Sequence, residues 1–378
     1  MIKELRVSNF RSLGRDVSLR PGALSFLLGP NGAGKSNILD ALSFVRDAVT
    51  QGLPAAITHR GGIDAVRRRS SGHPYNVRIE LELALTSGPV RYGFEIAGDR
   101  VEEYRVKAEW AEVSGDTAVG FEREGEAWHG PPGLVLRMDE QSLALTVLAG
   151  DARFSELCGL LSNVVVYSVF PDTLRAPQTF DPTRPMKRHG ENWVSVLREL
   201  IKEDGKGELV VGLKKLTGDI EDVKVTSVAG YLIAEFKQRS MVEKGKRWFG
   251  AQQQSDGTLR VAGLLTALLQ SPALPVVGVE EPELTVHPGA LPMLYDYLKQ
   301  ASEVSQVIVT THSPVLLDVV DIEQDTVFVV ERRDGVTQVR RMGEAEKRPV
   351  QDRLLRLGEL LLSGDLQLSL SGEEPERA

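Results

Sequence analysis

The stretch LLGPNGAGKSNILDALSFV, from Leu27 to Val45, sets Gly29, Gly32 and Gly34 around Lys35 and then opens a run of regularly spaced apolar residues. Glycine loses more backbone entropy on folding than any other residue, so a cluster of three needs a use. Upstream, LSFLL (Leu24–Leu28) predicts a short buried strand. Downstream, Ile38, Leu39, Leu42, Val45 and Val49 recur at helical spacing, and a helix is expected from Ser36. Between them, Gly29–Ser36 fits G-x-x-x-x-G-K-[ST] in the strand–loop–helix setting that the pattern requires. Backbone N–H groups in such a loop curl round phosphates, and the helix N-terminus adds positive field. Lys35 is then expected to reach the outer phosphates and the Ser36 hydroxyl to ligate magnesium. The stretch reads as a nucleotide-binding loop.

A phosphate loop alone does not define a reaction. In PVVGVEEPELTVHP (Pro275 to Pro288) an apolar strand ends in carboxylates. At the C-terminal edge of a parallel sheet, one carboxylate can hold magnesium and the next can position a water for attack on a γ-phosphate. Glu280 takes the metal position and Glu281 the water-activating one, with Glu283 as the substitute. VIVTTHSP (Val307 to Pro314) predicts a second strand ending at Thr310–Thr311, with His312 in reach of the same phosphate. LPMLYDYLKQASE between them is amphipathic, which makes a βαβ unit. In QQQSDGTLRVAGLLTALL, Ser255, Asp256 and Gly257 stand at the start of an apolar helix. The helix dipole and free N–H groups there make a second anion site. The same residues would equally serve as an ordinary N-cap.

IKELRVSNFRSL alternates and predicts an antiparallel strand leading into a second, VSLRPGALSFLL. NVRIELELAL, VRYGFEIAG, RVEEYRVKAEWAEV and GLVLRM predict a β-rich stretch to about residue 150, and SNVVVYSVFP a buried strand. The proline-rich TLRAPQTFDPTRPMKRHG marks a boundary. After it, ENWVSVLRELIKE and ELVVGLKKLTG predict helices and VKVTSVAGYLIAEFKQ a hairpin. The lone Cys158 excludes a disulfide framework and a cysteine zinc cluster, and suits a reducing cytoplasm. No apolar run approaches the ~20 residues that span a bilayer, so no membrane partner is expected. A net charge of −8 argues against non-specific coating of nucleic acid, although not against a local basic groove.

With these phrases in order, the chain resembles the ABC-type ATPases of the RecF/SMC/OLD group, in particular the compact AAA family ATPases without a coiled coil or Toprim domain. The resemblance identifies GPNGAGKS as Walker A, SDGT as a shortened signature motif, VEEPE as Walker B and TTHSP as the switch-histidine segment. It covers nearly the whole length, including NFRSL before the loop and LGELLLSGDL near the C-terminus. It implies an α/β P-loop head with a mixed, mainly parallel core sheet, an antiparallel β-subdomain and a smaller helical signature lobe. Lobe I would comprise 1–170 and 271–378, and lobe II 171–270. ATP would be bound by Arg11, Gly29, Pro30, Asn31, Gly32, Ala33, Gly34, Lys35, Ser36 and Asn37. Magnesium would sit on Ser36 and Glu280, with Lys35, Glu281 and His312 catalytic. Ser255, Asp256 and Gly257 would act in trans, across an ATP-dependent homodimer.

Two features depart from the pattern. Most ABC ATPases carry Asp where this chain has Glu280, and no Q-loop glutamine can be assigned. The implied function is ATP hydrolysis acting on DNA or with a partner effector, in genome maintenance or phage defence. The alternative is a nucleotide-gated scaffold or regulatory subunit for a nuclease or toxin. An OLD-type nuclease would need a Toprim acidic cluster, and no spaced Asp-x-Asp follows His312. A transporter cassette would carry a signature nearer LSGGQ. Arg67–Arg69 and Lys244, Lys246, Arg247 with Trp248 are the basic clusters that DNA or RNA could use.

Overall fold

The computed structural model describes residues 1–70, 72–100, 102–114, 119–134, 136–203, 205–239 and 247–363. Its central sheet has six strands in the order Val336–Arg341, Thr326–Arg333, Leu24–Leu28, Gln306–Thr311, Val276–Glu280 and Val164–Tyr167. All neighbours are parallel except the Val336–Arg341 edge strand, which folds back from Thr326–Arg333. Strands covered on both faces read as near-continuous apolar runs, and every residue of Leu24–Leu28 is buried. Their side chains alternate between two cores. Leu27, Val164, Val166, Val276 and Ile308 join the first, while Phe26, Leu28, Val165, Val277, Val279 and Val309 join the second.

The first core is closed by the helix Lys35–Thr50 and a seven-stranded antiparallel sheet. That sheet runs Val17–Leu19, Ile2–Ser8, Val77–Leu85, Gly88–Ala97, Arg105–Val113, Val119–Glu124, Ala127–His129. The second core is closed by helices Trp193–Lys202, Lys206–Thr217, Asp256–Leu269 and Leu291–Ala301 and by the hairpin Ile220–Val228/Tyr231–Gln238. The α/β P-loop head is therefore present as expected, with the antiparallel sheet on one side and helices on the other. Gln306 ties the lower end of its strand to the N-terminal strand. Its amide accepts from Ile2 N at 2.8 Å and donates to Ile2, Pro21 and Gly22 carbonyls at 2.9–3.1 Å.

Two strand expectations need correction. VSLRPGALSFLL is not one strand: Val17–Leu19 pairs with Ile2–Ser8, whereas Leu24–Leu28 enters the other sheet. Pro21–Gly22 separates them, and proline cannot donate to a ladder. The described residues of GLVLRM form no strand. Leu134, Leu136 and Met138 cover the first core from a loop, where the Trp128 indole donates to Leu134 O at 3.1 Å. Alternation there reports burial of single side chains, not pairing.

Glu109, on the strand Arg105–Val113, is fully buried and accepts from Tyr92 Oη at 3.2 Å and Leu145 N at 3.0 Å. Burial pushes its carboxyl up to about 7, although those bonds and Arg123 oppose the rise. The folded state thus holds this proton more tightly than the unfolded chain, whose value is near 4.5. Its contribution is complete below that value and is lost as pH rises towards 7. Glu109→Gln keeps an acceptor but cannot titrate. Urea unfolding at pH 4.5 and 7.5 should therefore give a wild-type-minus-variant stability that falls by on the order of 3 kcal/mol. A pH-independent difference would show that Glu109 does not titrate in this window.

Candidate nucleotide site

Parallel register brings the sequence-predicted residues to one sheet edge. Leu28 pairs with Thr311, and Thr310 with Glu280, so the segments Gly29–Ser36, His312 and Glu281 leave neighbouring strands. Neighbouring strands lie about 4.8 Å apart, so the three segments emerge side by side.

The loop turns on its glycines. Gly34 has φ 106° and caps the helix Lys35–Thr50, and a Cβ there would overlap the Thr337 hydroxyl. That hydroxyl donates to Ala33 O at 2.7 Å and bonds Ser12 Oγ at 2.7 Å. Asn37 donates to the same Ser12 Oγ at 2.6 Å. A polar clasp from the far edge strand thus fixes the loop. Gly29 and Ala33 are buried, whereas Pro30, Asn31, Gly32 and Ser36 are exposed at the mouth. Lys35 is 5 % exposed, its ammonium donating to Gly29 O at 2.7 Å and Pro30 O at 3.1 Å. Burial lowers its pKa, while the charges of Glu281 and Glu283 oppose the shift. A desolvated ammonium held only by carbonyls has a strong preference for an added anion.

Opposite the loop, His312 Nδ1 lies 3.2 Å from Glu281 Oε1. Glu281 holds a left-handed backbone, φ 43°, with its N–H bonded to Thr310 O at 3.0 Å. Such strain in a non-glycine residue persists only where the surroundings over-determine it. The two acidic candidates differ in freedom. Glu283 accepts from Thr311 Oγ1 at 2.5 Å and His312 N at 3.3 Å, and its side chain is 6 % exposed; that of Glu281 is 27 % exposed. Glu283 is a brace for the histidine segment. Glu281 has the access a water-positioning base needs. Ser36 and Glu280 offer the hard oxygen donors magnesium prefers, and it is usually bound by one or two carboxylates together with substrate phosphates. The donor set fits that metal.

Asp40 and Arg188 join the site without having been singled out in the sequence. Asp40, on the loop helix, is buried and ion-paired with Arg11 Nε at 2.7 Å and Arg60 Nη2 at 3.0 Å. Arg11, with φ 50°, is thereby held next to the loop helix. Arg188 donates to Glu280 Oε1 at 2.9 Å. A buried acidic residue inside the apolar stripe of the helix was the visible clue to Asp40. Arg188 stands in the proline-rich crossing, with nothing nearby to mark it.

Ser255 caps the helix Asp256–Leu269, its Oγ accepting from Thr258 N at 3.1 Å. Asp256 pairs with Arg175. A Cβ on Gly257 would come within 2.5 Å of Thr285 O, so the helix start packs directly on the segment after Glu283. Among the described residues, no hydrogen bond or ion pair joins Ser255–Gly257 to the Gly29–Asn37 loop. Of the arginine run, Arg67 is 4 % exposed and donates to Arg100 O at 3.2 Å, so it faces the interior instead of solvent. Arg68 lies over the Tyr75 ring at 4.3 Å, and only Arg69 of the three is exposed. Lys244 and Lys246 lie outside the described residues. Among the described residues, no helix is long and apolar enough to cross a membrane.

A family model described as "AAA domain, putative AbiEii toxin, Type IV TA system" matches residues 24–128 and 168–318, more than half of the chain. Two curated relatives match over shorter stretches. The hemin import ATP-binding protein HmuV of Pseudomonas aeruginosa is 31% identical over 156 residues, 36% of this chain and 60% of that protein. The OLD nuclease of Thermus scotoductus is 51% identical over 45 residues, 12% of this chain and 8% of that protein. The chain thus spans less than two thirds of either. Among solved structures, an SMC head bound to the C-terminal winged-helix domain of ScpA superposes with TM-score 0.61 at 16% identity. That match covers 92% of this chain and 99% of the other, a likeness of fold.

Proposed function

The chain belongs to this AAA-domain family, with the fold of ABC- and SMC-type ATPases, and on that premise we propose that it binds and hydrolyses ATP with magnesium. The observation that carries the reading is the meeting of Lys35, Glu280, Glu281 and His312 at one edge of the parallel sheet. Lys35 and the loop N–H groups would hold the β- and γ-phosphates. Magnesium, on Ser36 and Glu280, would neutralise developing charge. Glu281 would orient the attacking water, with His312 beside it at the γ-phosphate. Arg11 would approach the nucleotide from the start of the loop helix.

The same reading keeps 1–170 with 271–378 as one lobe and 171–270 as the other. Two chains would close around ATP, each offering Ser255–Gly257 to the nucleotide of its partner, and the exposure of that helix start supports this. DNA, RNA or an effector protein would be the target, in genome maintenance or phage defence. A scaffold that binds ATP without turnover has no use for a strained, accessible Glu281, which favours hydrolysis over that alternative.

Lys35→Ala tests the reading. It should weaken ATP binding by about tenfold or more, the scale of one lost charge-assisted contact. A nucleotide titration with unchanged affinity would remove the loop assignment. Hydrolysis by the wild type, measured with and without duplex DNA, single-stranded DNA and RNA, identifies the stimulating partner class.

A further inference from the structure

Glu280 carries a resident cation. Arg188 Nη2 donates to its Oε1 at 2.9 Å, and Arg188 Nη1 lies 3.9 Å from Asp40 Oδ1 on the loop helix. Among the described residues its Nε is buried with no hydrogen-bond partner. The guanidinium has a rigid fork of donors suited to a second, oxygen-rich anion, and one arm of that fork is unused.

The backbone around Arg188 is tied to the site and to the helix Asp256–Leu269. Arg188 O accepts from Ser168 N at 3.0 Å, just beyond the strand Val164–Tyr167, and His189 Nδ1 lies 2.8 Å from Ser168 O. On one flank, Met186 N donates to Gln270 Oε1 at 2.9 Å, directly after that helix. On the other flank, Trp193 Nε1 donates to Thr266 Oγ1 within it at 3.0 Å. Between them, Lys187 N bonds Asn192 Oδ1 at 2.7 Å and stiffens the loop. All these helix-side partners are buried, so the loop and the helix form one packed, hydrogen-bonded unit.

We propose that Arg188 is a positioning residue that reports the phosphate site to the helix Asp256–Leu269, by exchanging Glu280 for an oxygen of a nucleoside triphosphate's terminal phosphate. The proposal rests on the nucleotide reading of the site. A divalent cation on either oxygen of Glu280 neutralises the carboxylate and weakens its hold on the guanidinium. Arg188 therefore moves off Glu280 when that carboxylate is claimed by metal, and a terminal phosphate held at the neighbouring loop is the anion that satisfies its free arm. A diphosphate lacks that oxygen. The loop bearing Arg188 then adopts different positions with the two nucleotides, and its bonds at Gln270 and Thr266 carry the difference to the helix that starts at Ser255.

The test uses the full chain in a Glu281→Gln background, so that ATP persists, and compares it with Glu281→Gln/Arg188→Ala. Magnesium–ATP and magnesium–ADP affinities are measured by titration, and amide hydrogen exchange is read over residues 186–192 and 256–269. The added substitution should lower the ATP-over-ADP preference by about tenfold, one charge-assisted hydrogen bond, while ADP affinity stays within about twofold. It should also erase the ATP-minus-ADP difference in exchange. An unchanged preference, or an exchange difference that persists, overturns the proposal, because a merely structural Glu280–Arg188 pair predicts both. If Arg188→Ala does not fold, Arg188→Gln keeps a neutral donor to Glu280, and a full ATP preference in that variant equally overturns it. Failure of Glu281→Gln alone to bind either nucleotide is a different result, which removes the nucleotide reading itself.

Discussion

Glu281→Gln should leave ATP bound and slow its hydrolysis by about 10²- to 10⁴-fold, the range of a positioned general base. The amide keeps the size and one acceptor of the carboxylate but cannot draw a proton from water. The expectation falls on Glu281 and not on Glu283 for a geometric reason. Both Thr311 Oγ1 and His312 N bond Glu283 Oε1, which makes Glu283 a support of the strand end. Among the described residues the Glu281 carboxylate has one hydrogen-bond partner, His312 at 3.2 Å, and its backbone is held at φ 43°. Single-turnover measurements with saturating ATP separate chemistry from binding. A wild-type rate in Glu281→Gln would transfer the role to Glu283.

Ser255→Arg should preserve ATP binding by each chain and abolish both ATP-dependent association and turnover, the latter by about 10²- to 10³-fold, as when a preorganised donor to a transition-state anion is lost. On the proposed reading Lys35, magnesium and His312 would approach a γ-phosphate from one side, and the exposed start of the helix Asp256–Leu269 would supply the missing positive field from a second chain. ATP would then favour the closed pair and its hydrolysis would loosen it, a population shift set by differential contacts. Mixing Ser255→Arg with Glu281→Gln chains gives the sharper measurement. Each mixed dimer has one composite site with both lesions and one with neither, so part of the activity should return. Light scattering that finds Glu281→Gln monomeric in saturating ATP and magnesium ends the shared-site model.

What the sequence made legible is what local patterns encode. The strand Leu24–Leu28, the loop and its helix were readable because period, glycines and Lys35 are adjacent. The acidic and histidine strands were readable as strand ends, and the parallel sheet rule placed them on the same edge. Contacts between distant segments left no such trace. The clasp between Thr337 and Ser12 joins residues 325 positions apart, and the Arg188–Glu280 bond spans 92. Arg67 shows the opposite failure. An arginine in a run of three reads as solvent-facing, yet its backbone bridges Phe10 and its side chain turns inward to a carbonyl. Charge in a sequence names what must be compensated, not where the compensation comes from.

The Gln306 amide gives the active edge its footing. One side chain makes four bonds to the N-terminal strand and to the turn before Leu24, at the opposite end of the strand that delivers His312. Six strand residues span about 20 Å, so a tilt of about five degrees about that footing carries the histidine through nearly 2 Å. Misplacement by about 1 Å is enough to cost catalysis roughly a hundredfold. If His312 serves the phosphate as proposed, its aim would be set as much at the foot of the sheet as at its edge, with the buried Gln306 amide as its sighting pin.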